Sequence, residues 1–190
     1  MNPEKIIEKY YNDNDRLRTI LTVHSRLVAD KALEALRIWN SRLADQAGSD
    51  AAPADLQFAE EAAMLHDIGI YLCDAPDICC YGKEPYIRHG VMGREILDRE
   101  GYPRHALVCE RHTGAGLTVE DIDRQKLPLP RRDMTPRSVE ERAICYADKF
   151  YSKSGDIRRE KSLAKVIKSM ARHGRGSLER FLRLHTEFAE

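Results

Sequence analysis

Apolar residues in this chain recur at three- and four-residue spacing, and no stretch shows the run of alternating β-branched and aromatic residues that marks a strand. That pattern predicts an all-α fold, a helical bundle in which each helix buries one face. Asn2-Pro3 opens a first helix, with proline where its missing N–H does no harm and Ile6, Ile7, Tyr10 and Tyr11 at helical spacing. A second is expected from Asn14 or Asp15 to Leu43, with Leu17, Leu21, Leu27, Val28 and Leu36 on its inner face and a break near His24. Gly48 to Pro53 reads as a loop, and a third helix runs from Asp55 to Ile68, stopped by Gly69.

Beyond a loop from Tyr71 to Glu84, a helix is expected from Pro85 to Arg99 and another from Arg104 to His112, with Gly101-Tyr102-Pro103 as the turn between. Thr118 to Pro136 reads as a polar connection whose end, Thr135-Pro136, caps a helix running to Tyr151. Ser152 to Arg158 is a break, Arg159 to Arg172 a basic helix, and Ser177 caps a last helix ending near Glu190. The expected organisation is one domain over residues 1–155 and a basic helical extension, 156–190, packed on it or placed in a homodimer interface.

Charge narrows the partners. Lysine plus arginine and aspartate plus glutamate number 31 each, so the whole-chain balance favours neither nucleic acid nor a membrane surface. No apolar run approaches the roughly 20 residues that span a bilayer. The first ten residues carry Glu4, Lys5, Glu8 and Lys9 and lack a signal peptide's apolar region, which makes the cytoplasm the expected location. Five cysteines without a C-x-x-C pair read as free thiols of a reducing compartment. The alternative is a zinc-binding cluster of Cys73, Cys79 and Cys80.

The chemistry centres on His66-Asp67, which follows the apolar stretch Ala62-Ala63-Met64-Leu65. A carboxylate beside such a face is costly to bury without a partner. An imidazole next to a carboxylate is also a good ligand pair for a divalent cation. His24 lies among Ile20, Leu21, Leu27 and Val28, where a satisfied core histidine is the commoner outcome. Asp148 shares a helix with Ile144, Cys145 and Ala147 and is expected to face inward; the alternative to a metal there is a buried salt bridge, with Lys149 pointing elsewhere.

The order His24, His66-Asp67, Asp148, each on its own helix, resembles the HD-domain superfamily of metal-dependent phosphohydrolases. Ala63-Met64-Leu65-His66-Asp67-Ile68-Gly69 is similar to its central signature in the HDIG form, and the resemblance runs from about Arg18 to Tyr151. It implies that His24, His66, Asp67 and Asp148 hold one metal ion. His89, in Arg88-His89-Gly90, and His112, in Arg111-His112-Thr113-Gly114, stand where two-metal members carry further histidines, which implies a second ion bridged by Asp67. The placement of these two histidines is also similar to that in bacterial symmetrical diadenosine tetraphosphatases.

The resemblance implies hydrolysis of a phosphoester or phosphoanhydride of a nucleotide or other small phosphate, with His66 and Asp67 at the catalytic centre. Arg88, Arg111, Lys83 and Lys149 are the candidates for holding phosphate. Iron, manganese, nickel, cobalt, zinc and magnesium are not distinguished by these ligands. His105 is expected at an exposed helix start, and His173 and His185 at solvent-facing positions. Two rivals remain: a metal-binding regulatory module without turnover, and a di-iron oxygenase.

Overall fold

The computed structural model describes residues 1–45 and 52–189, so most of the expected Gly48–Pro53 loop, and Glu190, near which the last helix was expected to end, lie outside the described residues. Within them the fold is all-α. The helices are α1 (Pro3–Tyr11), α2 (Asp15–Ala44), α3 (Leu56–Leu65), α4 (His89–Arg99), α5 (Pro103–Arg111), α6 (Val119–Gln125), α7 (Val139–Asp148), α8 (Leu163–Arg172) and α9 (Arg175–Phe188). The strands β1 (Asp74–Ala75) and β2 (Cys80–Tyr81) pair antiparallel as a small hairpin in the expected 71–84 loop.

Side-chain caps fix several helix starts. Asn14 accepts a hydrogen bond from the Leu17 amide at the head of α2, and Asp55 accepts one from the Phe58 amide at the head of α3. α2 runs for 30 residues through His24 without the expected break. Its apolar stripe is continuous on both sides of the histidine, so nothing local interrupts the ladder.

Three expected boundaries move. α7 starts after Ser138, not at Thr135-Pro136. Ser138 Oγ accepts from the Glu141 amide, whereas Met134, just before Thr135, is paired with Leu117 in an isolated antiparallel bridge. The polar stretch after Thr118 is not wholly a connection, because Thr118 and Asp121 form a reciprocal capping box that starts α6. The expected basic helix begins at Leu163 rather than Arg159.

α2 packs against α3 and α7, α4 against α5, and α9 against α7 and α8. Two apolar clusters result. One gathers Val28, Leu36, Phe58, Ala63, Ile144 and Phe181; the other gathers Ile7, Leu17, Leu21, Leu65, Ile68 and Leu97. The seam between them crosses α2 between Leu21 and Val28 and α3 between Ala63 and Met64. His24 and His66 sit at that seam.

Candidate metal centre

Five helices converge at the seam. α2 supplies His24, the end of α3 supplies His66 and Asp67, the start of α4 supplies His89, the end of α5 supplies His112, and the last residue of α7 is Asp148. His24, His66 and Asp67 are fully buried, and His89 and His112 nearly so. Gly69 makes the approach of α4 possible: a Cβ there would lie 2.3 Å from the His89 carbonyl oxygen and 2.5 Å from the Gly93 nitrogen.

The two oxygens of Asp67 face different partners. Oδ2 lies 3.0 Å from His66 Nε2 and 3.2 Å from His24 Nε2, while Oδ1 lies 3.4 Å from both His89 Nε2 and His112 Nε2. Asp148 Oδ1 completes the first group, 3.0 Å from His24 Nε2 and 3.5 Å from His66 Nε2. Two sets of ligand atoms with metal-site spacing follow: His24, His66, Asp67 and Asp148, and Asp67, His89 and His112.

Three histidines share one orienting contact. His66 Nδ1 is 2.6 Å from the Ala63 carbonyl oxygen, His89 Nδ1 is 2.6 Å from that of Tyr86, and His112 Nδ1 is 2.7 Å from that of Cys109. A carbonyl only accepts, so each Nδ1 carries a proton and each ring turns its Nε2 into the site. His66 Nε2 and both oxygens of Asp67 are buried with no hydrogen bond of good geometry. Such buried polar atoms are costly unless something charged meets them. A divalent cation would meet them, and the mixed imidazole–carboxylate set suits one.

The titration behaviour follows from burial and charge. Burial pulls His89 down to about 3 and lowers His112 as well. Burial works against the charged form of His66 too, but Asp67 and Asp148 outweigh it and lift that ring to about 9. Burial also opposes ionisation of Asp67 and Asp148, yet the cations around them hold both carboxyls well below the usual range.

The sequence left Lys153 unnoticed. Its Nζ lies 2.5 Å from Asp67 Oδ2, on the loop that follows α7. Lys149 does not point away from Asp148, as its position in the sequence suggests. At the C-terminal end of α7 the side chain folds back, with Nζ 2.6 Å from Asp148 Oδ2 and 3.0 Å from the His112 carbonyl oxygen. The salt-bridge alternative for Asp148 is therefore present beside the ligand geometry, on the other carboxylate oxygen.

A cleft of about 610 Å³ opens on this centre, within the usual range for small-ligand sites. Its lining includes His89, His112 and Asp148, the cations Lys149, Lys153 and Lys161, and apolar side chains such as Ile78, Leu127 and Met170. Of the four residues expected to hold phosphate, Lys149 alone is among these. Arg111 is turned to Glu141, with Nη1 3.0 Å from each carboxylate oxygen. Arg88 pairs with Glu84 at 3.1 Å, and Lys83 is exposed on the loop after β2.

His105 and His185 are less exposed than expected, whereas His173 and the cysteines are as expected. His105 is half-buried against the Phe58 ring and lies 3.3 Å from Glu61 Oε2, because the first turn of α5 packs on α3. His185 is half-buried with Nδ1 3.0 Å from the Tyr146 hydroxyl, while His173 is exposed at the cleft. The five cysteines are free and buried. Burial raises Cys73 to about 11 and Cys80 to about 12, opposite to the shift that favours a metal-binding thiolate.

Residues 21–152 match the HD domain family. The chain belongs to the HD-domain family. That membership supports a metal-dependent, hydrolase-like module, and the matched span contains the convergence just described. It is 32% identical over 154 residues to tRNA (cytidine(56)-2'-O)-methyltransferase of Picrophilus torridus, covering 80% of this chain and 40% of that protein. It is 30% identical over 134 residues to the uncharacterized protein MJ0778 of Methanocaldococcus jannaschii, covering 70% and 71%. A tRNA (cytidine(56)-2'-O)-methyltransferase of Thermoplasma volcanium is 32% identical over 134 residues, 70% of this chain and 35% of that one. The HD domain thus spans well under half the length of the two methyltransferases. No solved structure matches it. Among the described residues, no helix is long and apolar enough to cross a membrane.

Proposed function

We propose that this HD domain is a metal-dependent phosphohydrolase, cleaving a phosphoester or phosphoanhydride of a nucleotide or other small phosphate. One observation carries the reading: Asp67 turns one oxygen to each of two ligand groups, at a cleft lined by lysines. His24, His66, Asp67 and Asp148 would hold one ion, and Asp67, His89 and His112 a second. Bound divalent ions would supply Lewis-acid charge and a water acidic enough to act near neutral pH.

The chain's own residues supply the rest. The carbonyls of Ala63, Tyr86 and Cys109 fix the imidazole tautomers, so the lone pairs are directed before any ion arrives. Lys149, held at the cleft by the His112 carbonyl, is placed to offset phosphate charge that grows in the transition state. The apolar lining gives the remainder of the substrate a surface to cover.

The names of the two archaeal methyltransferases support a second reading, in which the phosphate belongs to RNA. Most of each of those proteins lies outside the match, so methyl transfer is not assigned to this segment. The basic stretch 157–173 favours an extended anion. It carries Arg158, Arg159, Lys161, Lys165, Lys168 and Arg172 against Glu160, and its Lys161 and His173 line the cleft.

Cleavage of a panel of nucleotides, diadenosine tetraphosphate and tRNA, with manganese added and the products separated by chromatography or gel, tests both readings. Cleavage that vanishes with chelator and in His66→Ala establishes the hydrolase, and the preferred substrate chooses between the two. Bound metal without cleavage of any of them would sink the phosphohydrolase. Oxygen uptake with bound iron would then favour the oxygenase, and its absence the regulatory module.

A further inference from the structure

Lys153 stands inside the metal centre rather than beside it. The segment after α7 leaves the helix at Lys149 and turns back through Ser152–Gly155, with Gly155 at φ +70°. This carries the Lys153 side chain over Asp67, where only 13% of it is exposed. The oxygen it meets, Asp67 Oδ2, is the one that faces His24 Nε2 and His66 Nε2. An ammonium group and a divalent ion held by those histidines need the same oxygen, and their charges repel at that range.

The other two lysines of the cleft are tied differently. Lys149 Nζ is bound to the His112 carbonyl as well as to Asp148, and Lys161 Nζ to the carbonyls of Tyr151 and Lys149. These backbone contacts do not depend on the charge at Asp67. Lys153 has Asp67 as its carboxylate partner. Losing that partner frees a four-carbon arm whose neighbours along the chain, Ser152 and Ser154, line the cleft together with Thr113. A released ammonium cannot stay buried without a counter-charge, and an anion in the cleft is the nearest alternative.

We propose that Lys153 is an exchangeable cation: it neutralises Asp67 until a divalent ion takes Oδ2, then turns into the cleft and binds the phosphate group of the substrate. The exchange rests on the metal-binding reading given above. It makes phosphate affinity conditional on metal loading, because one ammonium cannot serve Asp67 and a phosphate at once. It also makes Lys153 a competitor of the metal, so that removing its charge tightens metal binding.

The test measures binding, not turnover. Calorimetry gives the affinity for Mn²⁺, and then for inorganic phosphate with Mn²⁺ bound, in the unsubstituted chain, Lys153→Met and Lys153→Gln. The expected result is Mn²⁺ affinity raised about tenfold or more in both variants, and phosphate affinity of the loaded protein lowered about tenfold. The unsubstituted chain should bind phosphate measurably more tightly with Mn²⁺ than without. Lys153→Gln provides the readout if Lys153→Met does not fold. Unchanged or weaker Mn²⁺ binding, or unchanged phosphate binding, overturns the exchange. The expected pattern in a protein that hydrolyses nothing would sink the hydrolase reading and leave the exchange standing; hydrolysis without the pattern would do the reverse.

Discussion

His89 Nε2 and His112 Nε2 face each other at 3.1 Å, while the Nδ1 of each ring is held by a backbone carbonyl. With both Nδ1 atoms protonated, two lone pairs point at one another in a buried site. That arrangement is repulsive unless a cation or a proton lies between them. Asp67 Oδ1, equidistant from both nitrogens, adds negative charge on the same side. His112→Ala is therefore expected to lower Mn²⁺ stoichiometry from two ions per chain to one, measured by metal analysis after dialysis. Two ions retained in the variant would remove His112 from the ligand set.

Stability should depend on pH in two separate windows when a chelator is present. His89, lowered by burial to about 3 from 6.5, and His112, lowered by the same cause, take up protons only when the chain unfolds. Below 6.5 the unfolded state therefore binds more protons, and stability falls as the pH drops toward 3. His66 has the opposite sign. Despite its burial, Asp67 and Asp148 raise it to about 9, so its contribution is complete below 6.5 and is lost as the pH rises through 9. Urea midpoints measured from pH 5 to 9.5 with EDTA should peak near pH 6.5. His89→Gln should flatten the acid limb and leave the alkaline limb in place.

The candidate metal centre was legible where a polar side chain interrupts a periodic apolar stripe. His24 between Leu21 and Val28, His66-Asp67 after Leu65, and Asp148 after Ala147 each stand out for that reason. Lys153 had no such mark. It lies in a turn with serines on either side, and its burial comes only from the way the chain returns over α7. Arg111 misled for the converse reason. An arginine beside a ligand histidine looks like a phosphate clamp, but the carboxylate that engages it is 30 residues away, at a helix start placed too early in the sequence reading. α6 was missed because polar composition hid a capping box that Thr118 and Asp121 spell out.

Gly69→Ala should separate geometry from ligand chemistry. The glycine has an ordinary φ of −83°, so strain in the backbone conformation is not the issue. Its missing side chain is what lets the start of α4 lie against the end of α3, and an added Cβ would meet backbone that cannot swing aside. A cost of about 1–3 kcal/mol or more is expected, as for other overpacked sites. His89 should move with α4, so the variant should also lose Mn²⁺ stoichiometry although no ligand has changed. A protein of unaltered stability and metal content would show that α4 is not held in this way.

Arg111→Met should damage stability and spare substrate binding. Glu141 is almost fully buried, and Arg111 is its bidentate partner. The same carboxylate accepts from the Arg137 amide just before α7, so it anchors the start of the helix that ends in Asp148. Methionine keeps the length of the arm but leaves the carboxylate without its cation, a change that typically costs about 3–5 kcal/mol in a buried pair. The melting temperature should therefore fall markedly. Phosphate affinity of the Mn²⁺-loaded protein, measured below that melting temperature, should stay within about twofold, since an uninvolved residue leaves binding free energy nearly unchanged. Glu141→Gln should show the same split, because it removes the charge from the other side of the pair. If Arg111→Met instead weakened phosphate binding while leaving the melting temperature intact, the arginine would belong to the cleft after all, and its contact with Glu141 would be a resting position rather than a structural tie.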